Sequence, residues 1–99
     1  MLAFRLILKV KPGKMGKAWE MAKKVKEFAP DYKGRIYTPN SFAPWETIIL
    51  EETYESVAER EAYWDKHHGT PAFVAWWDEW TNEVAESGNS IEVWELTEV

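Results

Sequence analysis

The two histidines of the chain and four of its seven tryptophans fall in residues 63–80, YWDKHHGTPAFVAWWDEW. Imidazole titrates near neutrality, so His68 or His67 suits general acid–base work. Neighbouring positions on a helix point about 100° apart, so the pair cannot face one metal ion. Glu61, Asp65 and His68 follow at spacings of four and three, close to one helix face, but without a signature such as H-E-x-x-H. Neither a metal site nor a cofactor is expected. The other use of the pair is structural: cations are favoured at a helix end, where the last carbonyls need donors.

The tryptophans also have two uses. Phe73, Trp77, Trp80 and Val84 make one helical stripe and read as core. Trp76 sits beside that stripe, either widening it or lying at its rim. With Trp64 one helix earlier, Trp19 in the first helix and Trp94 near the end of the sequence, these indoles can wall a pocket for a flat apolar ligand or simply fill volume. Tyr37 and Arg35 alternate on one face of a short strand, with Ile36 opposite. A tyrosine hydroxyl can orient a ligand carbonyl or phenol, and an arginine can hold a carboxylate bidentately. The pair can equally be a solvated sheet-face feature. The resulting expectation is a site with His68 or His67 as acid/base, Tyr37 as orienter, and Trp64, Trp76, Trp80, Trp19 and Arg35 around the ligand.

The elements that would position these residues follow from periodicity. Residues 3–11 alternate as a strand, with Phe4, Leu6, Leu8 and Val10 on one face and Arg5, Ile7, Lys9 and Lys11 on the other. Pro12 and Gly13 end it. Residues 14–29 read as one helix stopped by Pro30. Residues 34–38 are a short strand, PNSFAP a loop, and residues 45–54 the strongest strand in the chain, pairing with 34–38 as an antiparallel hairpin. Ser56 and Glu59 have capping-box spacing for a helix from Val57 to the histidines. Gly69 is expected as a left-handed cap, with Thr70 and Pro71 starting a helix over 71–86 that ends before Gly88. The segment SIEVWELTEV alternates as a last strand. The order strand–helix–strand–strand–helix–strand points to a ferredoxin-like α+β sandwich, a four-stranded antiparallel sheet with the helices on one face, as one domain over residues 1–99.

Composition narrows the function. The net charge of −5 is divided unevenly: residues 1–35 carry ten Lys/Arg against three Asp/Glu, and residues 36–99 two against fourteen. Most aromatics lie in the acidic half, the reverse of a nucleic-acid platform, so no nucleic-acid partner is expected. Phosphate-binding glycine loops, nucleophile elbows and dinucleotide fingerprints do not occur. No apolar run is long enough to span a bilayer, no secretory pattern opens the sequence, and cysteine is absent, which together suggest a cytoplasmic protein without a membrane partner. Both faces of the strands carry apolar residues, so a homodimer with two sheets packed into a barrel is expected.

FRLILKVKPGKMGKAWEMAKK resembles the opening strand, Pro-Gly turn and helix of NIPSNAP-like proteins in the dimeric α/β-barrel superfamily. LEETYESVAEREAYWDKHHGTPAFVAWWDEW resembles their strand, their ES-x-A-E-R helix start and their x-P-A-F segment. The resemblance implies the fold and a homodimer. The superfamily also includes cofactor-independent monooxygenases, polyketide cyclases and haem-degrading enzymes, several of which hold substrate between sheet and helices. The asparagine, histidine and tryptophan pattern of the haem-degrading branch is not seen here, and only His67 and His68 could supply an axial imidazole. The expectation is a small apolar or aromatic ligand between sheet and helices. The alternatives are a monooxygenase- or cyclase-like enzyme and a non-catalytic structural or interaction protein.

Overall fold

The computed structural model describes residues 1–41, 43–86 and 89–99. Phe42 of the expected loop and the expected helix stop at Gly88 lie outside them. The chain runs β1 (Leu2–Lys9), α1 (Met15–Lys23), α2 (Val25–Phe28), β2 (Arg35–Tyr37), β3 (Thr47–Tyr54), α3 (Val57–His68), α4 (Pro71–Glu79), a π-helical turn (Trp80–Val84) and β4 (Ser90–Glu95). The four strands form one antiparallel sheet in the order β2-β3-β1-β4, so the ferredoxin-like expectation is borne out.

Register decides which face is dry. β1 pairs with β3 so that Phe4, Leu6 and Leu8 oppose Glu52, Leu50 and Ile48, and these side chains share one face. Against it pack Ala18, Met21 and Ala22 of α1, with Trp80 and Val84 of the π turn, as the main core. A second cluster joins Val25, Phe28, Ala29 and Tyr32 to Tyr63 and Trp64 of α3 and to Phe73 and Trp76 of α4. The other face carries Arg5, Ile7, Ile49, Glu51, Tyr37 and Trp94, and among the described residues no helix covers it.

The helix over 14–29 is two helices. The Lys24 N–H bonds back to the Met21 carbonyl and the Glu27 N–H to the Lys24 carbonyl, three-residue closures that tighten the chain at Lys24. This re-aims Val25 and Phe28 at the second cluster and leaves Trp19 on the outer side, 46% exposed under the Lys23 ammonium. The helix over 71–86 also changes form: the Ala85 N–H reaches the Trp80 carbonyl, five residues back. A π turn takes more residues per revolution than an α turn, so Val84 lands on the Trp76 side of Trp80. Trp76, Trp80 and Val84 therefore point inward, and Trp77, expected in the core, is 44% exposed.

The caps account for α3 and α4. Ser56 Oγ accepts from the Glu59 N–H at 3.1 Å, and the Glu59 carboxylate accepts from the Glu55 N–H at 2.7 Å. Thr70 Oγ1 accepts from the Phe73 N–H, with Pro71 in the first turn. Gly69 takes φ −91°, ordinary right-handed backbone rather than the expected left-handed cap, because the chain turns straight into the Thr70 cap. Ser56→Ala should cost about 1 kcal/mol of stability in denaturant melts, since it leaves a first-turn donor without its acceptor.

Candidate functional site: an aromatic cavity with a polar end

A cavity of about 380 Å³ opens between the sheet and the helices, in the size range of ligand pockets. Leu6, Leu8 and Leu50 of the sheet form its floor. Val25 and Phe28 of α2 and Phe73 of α4 form apolar sides, and Trp64, Trp76, Trp77 and Trp80 add four indoles. The Trp76 and Trp80 rings stack at 5.2 Å and 9°, and the Trp76 indole N–H donates to the Met21 carbonyl at 2.8 Å, tying α4 to α1. His68 joins the wall from the end of α3, its imidazole stacked on Trp64 at 5.8 Å and 19° and lying 5.0 Å from the Phe73 ring.

One end of the cavity is polar. Glu52, on the core face of β3, is 6% exposed. Its Oε2 accepts from the Trp64 indole N–H at 2.7 Å and from the Tyr54 hydroxyl, and its Oε1 lies 3.7 Å from Arg60 Nη2. The Arg60 guanidinium also covers the Phe4 ring at 5.1 Å. Tyr32 reaches this end because Gly34 has no side chain: a Cβ at position 34 would collide with the Tyr32 ring. Two buried donors here, the Tyr32 hydroxyl and Arg60 Nε, have no hydrogen-bond partner in the protein. Unpartnered buried donors cost about 1–3 kcal/mol each, so both are poised for a ligand or ordered water.

Burial pushes the Tyr32 phenol well above its ordinary value, and the Glu52 charge adds to the shift. Tyr54 is raised by burial and then by its hydrogen bond to Glu52; Tyr63 is raised by burial and then by Asp31. The fold thus keeps neutral phenols where an unfolded tyrosine ionises near pH 10. Above that pH the native state holds more protons than the unfolded chain. The stability these phenols contribute is complete below about pH 10 and is lost as pH rises from there through the folded values. Denaturant melts should show stability falling above pH 10, by up to about 1.4 kcal/mol per pH unit for the buried Tyr32. Tyr32→Phe should flatten that slope.

Of the residues expected in the site, His68, Trp64, Trp76 and Trp80 meet at the cavity. His67 turns away: its Nε2 lies 3.9 Å from Asp31 Oδ1, and its ring lies 4.9 Å from Tyr63, whose hydroxyl donates to the same carboxylate at 3.0 Å. Trp19 is on the outer side of α1. Tyr37 and Arg35 lie across the sheet, lining a separate hollow of about 490 Å³ with Arg5, Glu51 and Trp94. There Glu51 accepts from Arg5 Nε at 2.7 Å and from the Tyr37 hydroxyl at 3.2 Å, and its hydrogen bond with Arg5 and then its charge raise the Arg5 pKa. The sheet therefore separates Tyr37 and Arg35 from His68. Among the described residues, no group of three or more His, Asp or Glu side chains is placed to hold a metal ion, and no helix is long and apolar enough to cross a membrane.

Sequence reasoning passed over Glu52, Arg60 and Tyr32. A signal for Glu52 was present: it continues the alternation of Ile48 and Leu50, so a carboxylate sits at a core-facing position and must find donors there. Arg60 and Tyr32 carry no comparable mark, since their burial depends on how α2 and α3 meet.

No protein-family model matches the chain, and neither does any curated protein. Solved structures do. An uncharacterized NIPSNAP domain protein from Burkholderia xenovorans superposes with a TM-score of 0.82 at 12% identity, over 98% of this chain and 95% of its own. A protein from Agrobacterium tumefaciens superposes at 0.81 and 10% identity, over 98% and 94%. A candidate antibiotic biosynthesis monooxygenase from Nitrosomonas europaea superposes at 0.68 and 19% identity, over 96% and 97%. At such identities the likeness is one of architecture, and by it the chain has the ferredoxin-like fold shared by these NIPSNAP domain and monooxygenase-like proteins.

Proposed function

We infer that the protein binds a small, mostly apolar, aromatic-type molecule in the cavity between the sheet and the helices. The observation that carries this reading is a pre-formed apolar cavity walled by Trp64, Trp76, Trp77 and Trp80. A core that used these indoles only to fill space would close over them, because interiors pack with few voids larger than a water molecule. Titration with 2-acetylnaphthalene, followed by calorimetry and tryptophan emission, should show saturable one-site binding. Binding should weaken at least tenfold in Trp64→Ala. An unchanged emission spectrum and no heat would remove the reading.

Catalysis at the same site is the second reading, and His68 on the cavity wall favours it, together with the fold likeness to a candidate monooxygenase. Without a cofactor, oxygenation needs a substrate that becomes its own reductant. An imidazole that removes a proton from an activated C–H leaves a carbanion that dioxygen can oxidise, one oxygen atom staying on carbon and the other leaving as water. An anthrone, converted to its quinone with consumption of one O₂, is a suitable probe.

The protein is further proposed to be a cytoplasmic homodimer joined through the uncovered sheet face. Trp94 is 55% exposed there, and Leu96, which lines the same hollow, is 48% exposed. Exposed apolar surface of this kind marks an association site. Light scattering should give twice the 11.6 kDa chain mass. The double variant Ile49→Lys, Trp94→Glu should give the single mass with its helical content intact; a wild-type monomer would reject the dimer.

A further inference from the structure

We propose that Glu52 acts as a charge filter, so that the cavity takes an apolar ring system ending in a neutral oxygen acceptor, of the carbonyl class, and turns away anions. The proposal rests on the ligand-binding reading above and deepens it. Three features of the polar end lead to it. The buried donors without partners, Tyr32 hydroxyl and Arg60 Nε, call for an acceptor. Arg60 alone would favour a carboxylate, but Glu52 already stands 3.7 Å from its Nη2 and is itself almost fully buried. The cation is therefore balanced before any ligand arrives. A ligand carboxylate at the two donors would place a second negative charge beside Glu52 in surroundings that screen poorly, where like charges repel strongly. A ketone oxygen accepts from such a donor and adds no charge.

The Glu52 carboxylate is held in place independently of any ligand. Its Oε2 takes the Trp64 indole N–H and the Tyr54 hydroxyl. Glutamine at 52 can keep an amide oxygen for these two donors while removing the charge. Glu52→Gln thus leaves Arg60 unbalanced and converts the same pocket into one that prefers a carboxylate. This makes position 52 a specificity determinant whose effect reads as a reversal of preference and not merely as a loss of binding.

The experiment is calorimetric titration of the wild-type protein, Glu52→Gln and Tyr32→Phe with three probes of one ring system, naphthalene, 2-acetylnaphthalene and 2-naphthoate, at pH 7.5. The wild type should bind the ketone at least about tenfold tighter than the carboxylate and also tighter than the hydrocarbon. Glu52→Gln should bind the carboxylate at least as tightly as the ketone. Tyr32→Phe, which loses one donor and little shape, should narrow the gap between ketone and hydrocarbon. If Glu52→Gln fails to fold, the wild-type order and Tyr32→Phe still decide. Carboxylate binding as tight as ketone binding in the wild type overturns the filter, and so does a ketone preference that survives unchanged in Glu52→Gln or in Tyr32→Phe. Absence of binding by all three probes to the wild type overturns the cavity reading itself, an outcome distinct from a wrong order among probes that bind.

Discussion

Trp80→Ala should destabilise the protein by about 3–5 kcal/mol. Trp80 is 1% exposed, stacks on Trp76, and stands where the π turn meets the sheet and α1. Removing its indole enlarges a space that already adjoins a cavity, and the two rigid layers on either side cannot collapse to refill it. The loss is a large part of the roughly 5–15 kcal/mol that holds a domain together. In thermal melts it should lower the midpoint by more than about 12 °C for a chain of this size. Trp45→Ala is the control: Trp45 is 79% exposed, and its truncation should stay within about 0.5 kcal/mol. A Trp80→Ala protein less than about 1 kcal/mol weaker than wild type would mean that the indole is held loosely and that the wall it forms is soft.

His68→Ala should lower the rate of anthrone oxidation by about 10²–10⁴, the range expected when a positioned acid/base is removed. His67→Ala should leave it within a few-fold, because that imidazole faces Asp31 and Tyr63 and not the cavity. The pair of variants separates chemistry from helix-end stability, since both histidines lie in the last turn of α3. Equal rates for wild type and His68→Ala would remove His68 from the catalytic reading. Equal losses in both variants, with matching falls in melting temperature, would assign the effect to the helix end.

Legibility differed element by element, for physical reasons. α3 was readable to its bounds because its start and finish are written locally, in the Ser56 cap and in the Gly69–Pro71 break. The sheet was readable because alternation marks Phe4, Leu6 and Leu8 against Arg5 and Ile7, and Ile36 against Arg35 and Tyr37. The break at Lys24 was not readable, since KKVK contains no residue that opposes helix. Nor was the π turn, which shows as hydrogen bonding that reaches a residue further back, as from the Ala85 N–H to the Trp80 carbonyl. Trp77, expected in the core stripe, is part exposed, while Trp76, expected either to widen that stripe or to lie at its rim, widens it. The candidate site was legible in part. Local spacing brought Trp64, His68, Trp76 and Trp80 into one neighbourhood. Whether Tyr37 shares that neighbourhood depends on which sheet face the helices cover, and that is decided by tertiary packing. The polar end formed by Glu52, Arg60 and Tyr32 joins three elements distant in sequence, so no local pattern announces it.

The position of β1 has a consequence for how the protein is made. β1 lies in the middle of the sheet, and its neighbours are β3 and β4. Leu2 pairs with Tyr54 on one side and with Glu95 on the other. β1 therefore waits for its second neighbour until the chain has been made as far as β4 (Ser90–Glu95). At roughly 5–20 residues per second, that wait lasts several seconds. During it, one edge of an apolar strand is open, and long-range pairing of this kind folds slowly even when the chain is whole. Lys9 and Lys11, at the far end of this segment, carry charges of the sort that discourage edge-to-edge association. Yield in cells should therefore respond to changes in β4 more sharply than the modest burial of that strand suggests.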